Sequence, residues 1–230
     1  MKNTARLAGL LYLVIIVCGI FSEVGIRSRL IVPGDAAATA VNIATSAGLF
    51  RIGFAADALM LLSDVAIAVL FYLLFRPVSK PLALTAAAFR LTQAAVLGFN
   101  LLNYYAALLL LNGGAYGAAF GADQLHALSL LFLDLHRHGY DLGLLFFAVS
   151  NFILGYLVVK SDGFPAVFGY GLIAAAAVYL LGSGMLFIFP AGVDRIAPLY
   201  IVPLAAELSF CLWLLIKGGK QGVASRLNDL

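Results

Sequence analysis

Charged residues are scarce in this chain of 230 residues: they make up 11% of it, whereas 63% of the residues are hydrophobic. An ordinary soluble domain is about 25% charged and about 45–50% apolar. A soluble fold of this length could not bury so much apolar surface, because its core would be full and the remainder would face water. The scarcity of charge therefore predicts an integral membrane protein.

Cysteines and recognisable motifs are also few. The two cysteines, Cys18 and Cys211, lie in apolar stretches at different depths, so we predict no disulfide bond between them. The sequence contains no P-loop, dinucleotide fingerprint, nucleophile elbow or Cys-x-x-Cys pair. Basic residues form no stripe of the kind that binds nucleic acid, so no nucleic-acid partner is expected. Whether the chain is an enzyme stays open.

The apolar residues are collected in six segments, each close to the length of about 20 residues that a membrane-spanning helix needs. These segments cover residues 7–26, 51–75, 81–111, 139–160, 165–189 and 196–216. The runs are continuous and do not alternate, which predicts helices rather than strands and an all-α transmembrane bundle. We expect one domain over residues 1–230, and a retained first helix because no small-x-small cleavage site follows it.

The connections between these segments contain turn and capping signals. Residues 27–50 and 112–138 are long enough to hold short helices in the outer loops. The turn Pro33-Gly34-Asp35 ends in a residue typical of helix N-caps, and Pro81 suits a first helical turn. Lys and Arg in the short loops favour the side of the termini by eight to five, which predicts that both termini are cytoplasmic.

Several polar side chains fall inside the predicted spans, where an ionised group costs about 2.5–3.5 kcal/mol on insertion scales. The candidate residues of an intramembrane polar cluster are Asp57, Asp64, Arg90, Gln93, Asn151 and Glu207. At about 1.5 Å of rise per residue, Asp64, Arg90 and Glu207 fall in one layer, roughly 14–17 Å from the cytoplasmic boundary. Asp57 precedes Asp64 by seven residues and is therefore expected on the same helix face.

We expect Arg90 to be the central cation of this cluster, paired with Asp64 and also with Glu207. One interpretation is a polar cavity that binds or transports a small molecule, a lipid or an ion. The other is a structural ion pair that only fixes how the helices pack. Pro203 is expected to bend the last span four residues before Glu207, as in the broken helices of some transporter sites.

All three histidines lie in one outer segment. His126, His136 and His138, together with Asp141, are candidate ligands of a metal ion, because imidazole and carboxylate suit zinc or a non-haem metal. On a helix, His136 and His138 would point about 200° apart and could share an ion only if the helix ended there, as Gly139 permits. The alternatives are therefore a polar interfacial loop and an outer-face metal-dependent enzyme.

Short motifs along nearly the whole chain resemble those of a known family. They are Arg6-Leu-Ala-Gly-Leu-Leu-Tyr12, Gly34-Asp35-Ala-Ala-Ala-Thr39 with Asn42-Ile43, Leu49-Phe50-Arg51, Ser63-Asp64-Val65, Phe89-Arg90-Leu91, Leu154-Gly155-Tyr156-Leu157 and Glu207 ahead of Trp213. In these motifs the chain resembles the bacterial multi-pass membrane family called domain of unknown function 4386. The resemblance implies six membrane helices and no assigned activity, so it transfers no catalytic residue.

The sequence thus predicts a multi-pass protein of the bacterial inner (plasma) membrane, with the lipid bilayer as its first partner. Binding or transport of a small molecule, lipid or ion at the polar cluster is the first expected function. A metal-dependent enzyme and a non-catalytic membrane partner protein are the alternatives. Six spans are few for a transporter acting alone, so transport would favour a homo-oligomer. The first residues to test are Asp64, Arg90 and Glu207.

Overall fold

The computed structural model describes residues 2–218, and within this range the chain is helical and contains no β-strand. Six helices are long and apolar enough to cross a membrane, which confirms the predicted all-α, six-span architecture. These helices are α1 (Lys2–Leu30), α3 (Ala47–Phe75), α4 (Lys80–Leu111), α6 (Ala122–Lys160), α7 (Ala166–Ile188) and α8 (Ala197–Ile216). Both cysteines are free.

Two short helices lie in the two longest predicted connections: α2 (Ala36–Thr45) and α5 (Gly114–Ala119). Asp35 caps α2 as predicted, since its side chain accepts a hydrogen bond of 2.9 Å from the backbone N–H of Ala38. The preceding Gly34 has a φ of +77°, a left-handed conformation that glycine adopts without steric cost. Pro81 is the second residue of α4, where its missing N–H is not needed.

Helix α6, which contains the predicted span 139–160, begins at Ala122 and runs for 39 residues. Its early part has one buried face, formed by Leu125, Ser129, Leu133 and His136, whose spacing is helical. Gly139 does not end the helix. Its missing side chain leaves room for Asn100, which would collide with a Cβ atom at that position.

Pro203 lies near the start of the last span and not in its middle. The span opens with a 3-10 turn, Ala197–Tyr200, and its α-helical part begins at Ile201. Pro203 is therefore in the first α-helical turn, where N–H groups have no partner within the helix. A second 3-10 helix, Pro190–Arg195, precedes this span.

The described chain divides into two compact units. Unit 1 is formed by residues 2–14, 62–94 and 141–218, and unit 2 by residues 15–61 and 95–140. Helices α1, α3, α4 and α6 contribute residues to both units. The expectation of a single transmembrane domain stays a prediction.

Close backbone and ring packing forms the core of each unit. In unit 1, Gly155 of α6 and Gly169 of α7 face each other, and a Cβ atom on Gly155 would come within 2.6 Å of the Gly169 carbonyl oxygen. This is the close helix approach that small residues allow in membranes. In unit 2, the rings of Phe50 and Tyr104 stack at 4.0 Å between centroids. Tyr104 also donates a hydrogen bond of 3.2 Å to the Phe50 carbonyl.

Candidate intramembrane polar sites

Unit 1 contains the predicted ion pair of Arg90 and Asp64. Arg90 on α4 is 1% exposed, and its Nη2 atom lies 2.5 Å from Oδ1 of Asp64 on α3. The other oxygen of Asp64 accepts a hydrogen bond of 3.1 Å from Nε2 of Gln93, one turn after Arg90. Residues three apart on a helix lie on the same face, so α4 presents both donors to a single carboxylate.

Glu207 on α8 forms a second polar contact in unit 1, with Asn151 on α6. Nδ2 of Asn151 donates a hydrogen bond of 2.9 Å to Oε1 of Glu207. The predicted direct pairing of Glu207 with Arg90 is wrong: within residues 2–218, the ion pair of Arg90 is with Asp64. Glu207 acts on Arg90 electrostatically at longer range, and Tyr12 and Tyr179 lie close to its carboxyl group.

Aromatic rings cover the guanidinium of Arg90. Its central carbon lies 4.9 Å from the ring centroid of Phe147, 5.6 Å from that of Tyr12 and 5.8 Å from that of Phe71. At these distances a cation is attracted by the ring quadrupole, and more strongly so in a desolvated position. Only the N–H groups at the edge of the guanidinium can therefore form hydrogen bonds.

Unit 1 buries five side-chain polar atoms that have no hydrogen-bond partner among the described residues. These atoms are Tyr12 Oη, Arg90 Nε, Arg90 Nη1, Gln93 Oε1 and Asn151 Oδ1. An unpaired buried polar group costs about 1–3 kcal/mol, and native structures contain few of them. Three of the five can donate a hydrogen bond, and three, including the Tyr12 hydroxyl, can accept one.

Asp57 does not join this cluster, although it was predicted to. It belongs to unit 2, where its Oδ2 atom lies 2.5 Å from Nη1 of Arg27. The same guanidinium donates two further hydrogen bonds, one of 2.7 Å from Nε to Glu23 and one of 2.9 Å from Nη1 to the hydroxyl of Ser22. Sequence reasoning missed Arg27 because it treated this residue as a loop cation that reports topology.

A π-helical turn explains how Arg27 reaches these partners. Residues Phe21–Arg27 of α1 form a π-helix, in which backbone hydrogen bonds join residues five apart instead of four and each turn is wider than in an α-helix. The wider turn places Ser22 and Arg27, five residues apart, on the same side of the helix. Such turns are rare and occur frequently at functional sites. The spacing of Glu23 and Arg27, four apart, was the sequence signal that could have revealed this pair.

The four candidate metal ligands are not brought together. His136 is buried, with its Nδ1 atom 3.3 Å from the carbonyl oxygen of Asn100, whereas Nδ1 of the exposed His138 lies 2.7 Å from the carbonyl oxygen of Asp134. Asp141 accepts a hydrogen bond of 2.9 Å from Ser183, and His126 is half-buried.

The helical context explains this separation. Because α6 is continuous through Gly139, His136 and His138 point in nearly opposite directions. Across residues 2–218, no three His, Cys, Asp or Glu side chains are arranged to hold a metal ion.

Comparison with known proteins identifies the family. Residues 7–218 match the family described as Domain of unknown function (DUF4386). A protein of Archaeoglobus fulgidus with the name "Uncharacterized protein" is 30% identical over 162 residues, which are 70% of this chain and 81% of that protein. No solved structure matches the chain. The chain belongs to the DUF4386 family, as its motifs indicated, and its six apolar helices make it a multi-pass membrane protein.

Proposed function

We propose that this member of the DUF4386 family binds a small polar molecule, uncharged or zwitterionic, at the polar site of unit 1, as a step in its transport. The residues of this site are Asp64, Arg90, Gln93, Asn151 and Glu207, with Tyr12 beside them. The observation that carries the proposal is the set of five buried polar atoms without a partner. A bound molecule that pairs with these atoms would remove the cost of leaving them unpaired.

The charges of the site favour such a molecule over a simple ion. Arg90 and Asp64 neutralise each other, and Glu207 adds negative charge when it is ionised. A molecule with a net negative charge would therefore be repelled by the ionised Glu207, because the charge of Arg90 is already balanced by Asp64. A carbonyl or carboxylate group could accept from the unpaired Arg90 atoms, while N–H or O–H groups of the same molecule donate to Gln93 and Asn151.

A purely structural role explains less of the arrangement. The pair of Arg90 and Asp64 would fix the packing of α3 against α4 in either case. However, a cluster that serves packing alone gains nothing from unpaired donors and acceptors, and an apolar core of the same shape would be as stable or more stable. The unpaired atoms thus favour binding.

The cellular setting is part of the same proposal. We place the protein in the inner membrane of a bacterial cell with both termini in the cytoplasm, because Lys and Arg favour that side by eight to four when the buried Arg27 is left out. We also expect a homo-oligomer, since six spans are few for a transporter acting alone. We make no proposal for a metal-dependent enzyme, because its candidate ligands lie apart.

Native mass spectrometry of the full chain, extracted gently from its host membrane, tests the binding site. We expect a retained small organic molecule whose occupancy falls about tenfold in the Gln93→Met variant, which removes one unpaired acceptor and one contact to Asp64. Thr92→Val is the matched control, because Thr92 is exposed and its hydroxyl bonds only to the Ala88 carbonyl in its own helix.

The result that contradicts the proposal is equally clear. If the wild-type chain carries no small molecule, and takes up none from a polar extract of its host cells, the unit 1 site does not bind a ligand. Equal occupancy in Gln93→Met and Thr92→Val would show that a retained molecule lies elsewhere.

A further inference from the structure

Unit 2 contains a buried polar cluster that the proposed function does not use. Its charged members are Glu23, Arg27 and Asp57, and His136 accompanies them. The side chain of Glu23 is 67% exposed, whereas Asp57 and His136 are only 3% and 5% exposed. The cluster therefore reaches from the surface of the unit into its interior.

His136 and Arg27 have two aromatic neighbours in common, Tyr104 and Tyr140. The guanidinium carbon of Arg27 lies 5.9 Å from the ring centroid of Tyr104 and 6.0 Å from that of Tyr140. The ring of His136 lies 5.2 Å from Tyr104 and 6.5 Å from Tyr140. Asp57, Arg27 and Glu23 all act electrostatically on His136.

Two buried atoms of this cluster have no hydrogen-bond partner in the described part of the chain: Oδ1 of Asp57 and Nε2 of His136. A carboxylate oxygen is an acceptor. Nδ1 of His136 lies 3.3 Å from the Asn100 carbonyl oxygen and 3.2 Å from Nδ2 of Asn100, and this Nδ2 already donates a hydrogen bond of 2.7 Å to the His136 carbonyl. In the tautomer in which Nδ1 donates to the Asn100 carbonyl, Nε2 carries a lone pair and is also an acceptor. Both unpaired positions then require a donor.

The charge of the cluster also favours a ligand that donates hydrogen bonds. Glu23 and Asp57 contribute two negative charges and Arg27 one positive charge, so the group has a formal excess of one negative charge. A ligand that supplies a positive charge and several N–H donors would satisfy both deficits.

We propose that unit 2 binds a primary ammonium group at Asp57 Oδ1 and His136 Nε2. Three N–H bonds let this group donate to both atoms at once, which a quaternary ammonium cannot do. A metal ion fits less well, because no three ligating side chains are arranged around one point in residues 2–218. The proposal does not depend on the unit 1 site, and either can fail alone.

The ammonium group could belong to a free amine or to the headgroup of a lipid such as phosphatidylethanolamine. The full chain is placed in phosphatidylglycerol nanodiscs and titrated separately with ethylamine, phosphatidylethanolamine and phosphatidylcholine, with native mass spectrometry and thermal unfolding as readouts. We expect the primary-amine probe to bind at least about tenfold more tightly than phosphatidylcholine. Binding of ethylamine indicates a free amine, and binding of phosphatidylethanolamine alone indicates a lipid headgroup.

Three variants locate the site. Asp57→Asn should weaken binding about tenfold, because a charged hydrogen bond is lost, while Asp123→Asn, a matched change on an exposed residue of unit 2, should leave binding unchanged. Should Asp57→Asn fail to fold, Glu23→Gln removes one negative charge without touching the buried pair and should weaken binding about threefold. Equal binding of phosphatidylcholine, or no change in Asp57→Asn or Glu23→Gln, overturns the proposal.

Discussion

Each unit pairs an aspartate of α3 with an arginine, but the two arginines use their donors differently. In unit 2, Arg27 donates to Asp57, to Ser22 and to Glu23. In unit 1, Arg90 donates to Asp64, while its Nε and Nη1 atoms have no partner within residues 2–218. Aromatic rings take the place of oxygen atoms around Arg90.

A buried ion pair therefore indicates a structural or a binding role only when the other partners of its two residues are known. The partners Glu23 and Ser22 lie four and five residues before Arg27, so the local helix supplies most of its hydrogen bonds. The polar and aromatic neighbours of Arg90 come from several helices, and they leave donors unused. An expensive arrangement that the fold does not complete by itself is better evidence of a ligand than the pair alone.

The largest expected effect comes from neutralising the two aspartates. Asp64→Asn should lower the free energy of unfolding by about 3–5 kcal/mol, because Arg90 keeps no ionic partner in a fully buried position. Asp57→Asn should cost only about 1–2 kcal/mol, since Arg27 keeps its bonds to Glu23 and Ser22. Reversible unfolding in mixed detergent micelles measures both values.

A double variant is the control for this comparison. Asp64→Asn combined with Arg90→Gln removes both charges of this buried pair, so it should recover a good part of the stability that Asp64→Asn loses. If Asp57→Asn destabilises the protein as much as Asp64→Asn does, the two arginines depend equally on their aspartates. The proposed difference between the two ion pairs is then wrong.

The sequence was sufficient for the six spans, because long apolar runs can be stable only in lipid. It was insufficient for the start of α6, where His126, Asp134 and His138 lower the hydropathy of a segment that nevertheless has one buried helical face. Hydropathy measures whether a segment prefers lipid to water. The part of a helix that extends beyond the lipid does not need a high hydropathy. Helical periodicity was the better signal there.

The second comparison uses two fully buried tyrosines, one in each unit. Tyr104→Phe should cost about 1 kcal/mol, because the hydroxyl of Tyr104 donates to the Phe50 carbonyl. Tyr12→Phe should cost less than Tyr104→Phe does, because the hydroxyl of Tyr12 lies near the Glu207 carboxyl group without the geometry of a full hydrogen bond. Thermal unfolding of the two variants side by side measures the difference.

Ligand occupancy then gives the Tyr12 experiment a second readout. If the hydroxyl of Tyr12 is reserved for a bound molecule, Tyr12→Phe lowers the occupancy found by native mass spectrometry while the protein stays folded. A loss of stability in Tyr12→Phe as large as that in Tyr104→Phe would mean that the Tyr12 hydroxyl is already satisfied, and it would weaken the case for binding in unit 1.

The candidate site was predictable only in part. Counting residues from the span ends placed Asp64 and Arg90 at one depth, and their contact followed. The same arithmetic placed Asp57 on the face of Asp64, but its partner Arg27 depends on a π-helical turn, and a period of 3.6 residues cannot show such a turn. Tyr12 and Phe147 were missed because an aromatic residue in an apolar run has no distinguishing signal.

The smallest expected effect on stability tests the exposed end of unit 2. Glu23→Gln should change the free energy of unfolding by less than about 0.5 kcal/mol, because the side chain of Glu23 is 67% exposed and its attraction to Arg27 is therefore weakened by water and salt. The buried bond of Arg27 to Asp57 remains in this variant. The same change should weaken the binding of a primary ammonium, which depends on the net charge of the cluster. Unfolding and amine titrations on one preparation separate the two effects, and a large loss of stability would mean that Glu23 holds Arg27 in place rather than setting the charge of a binding site.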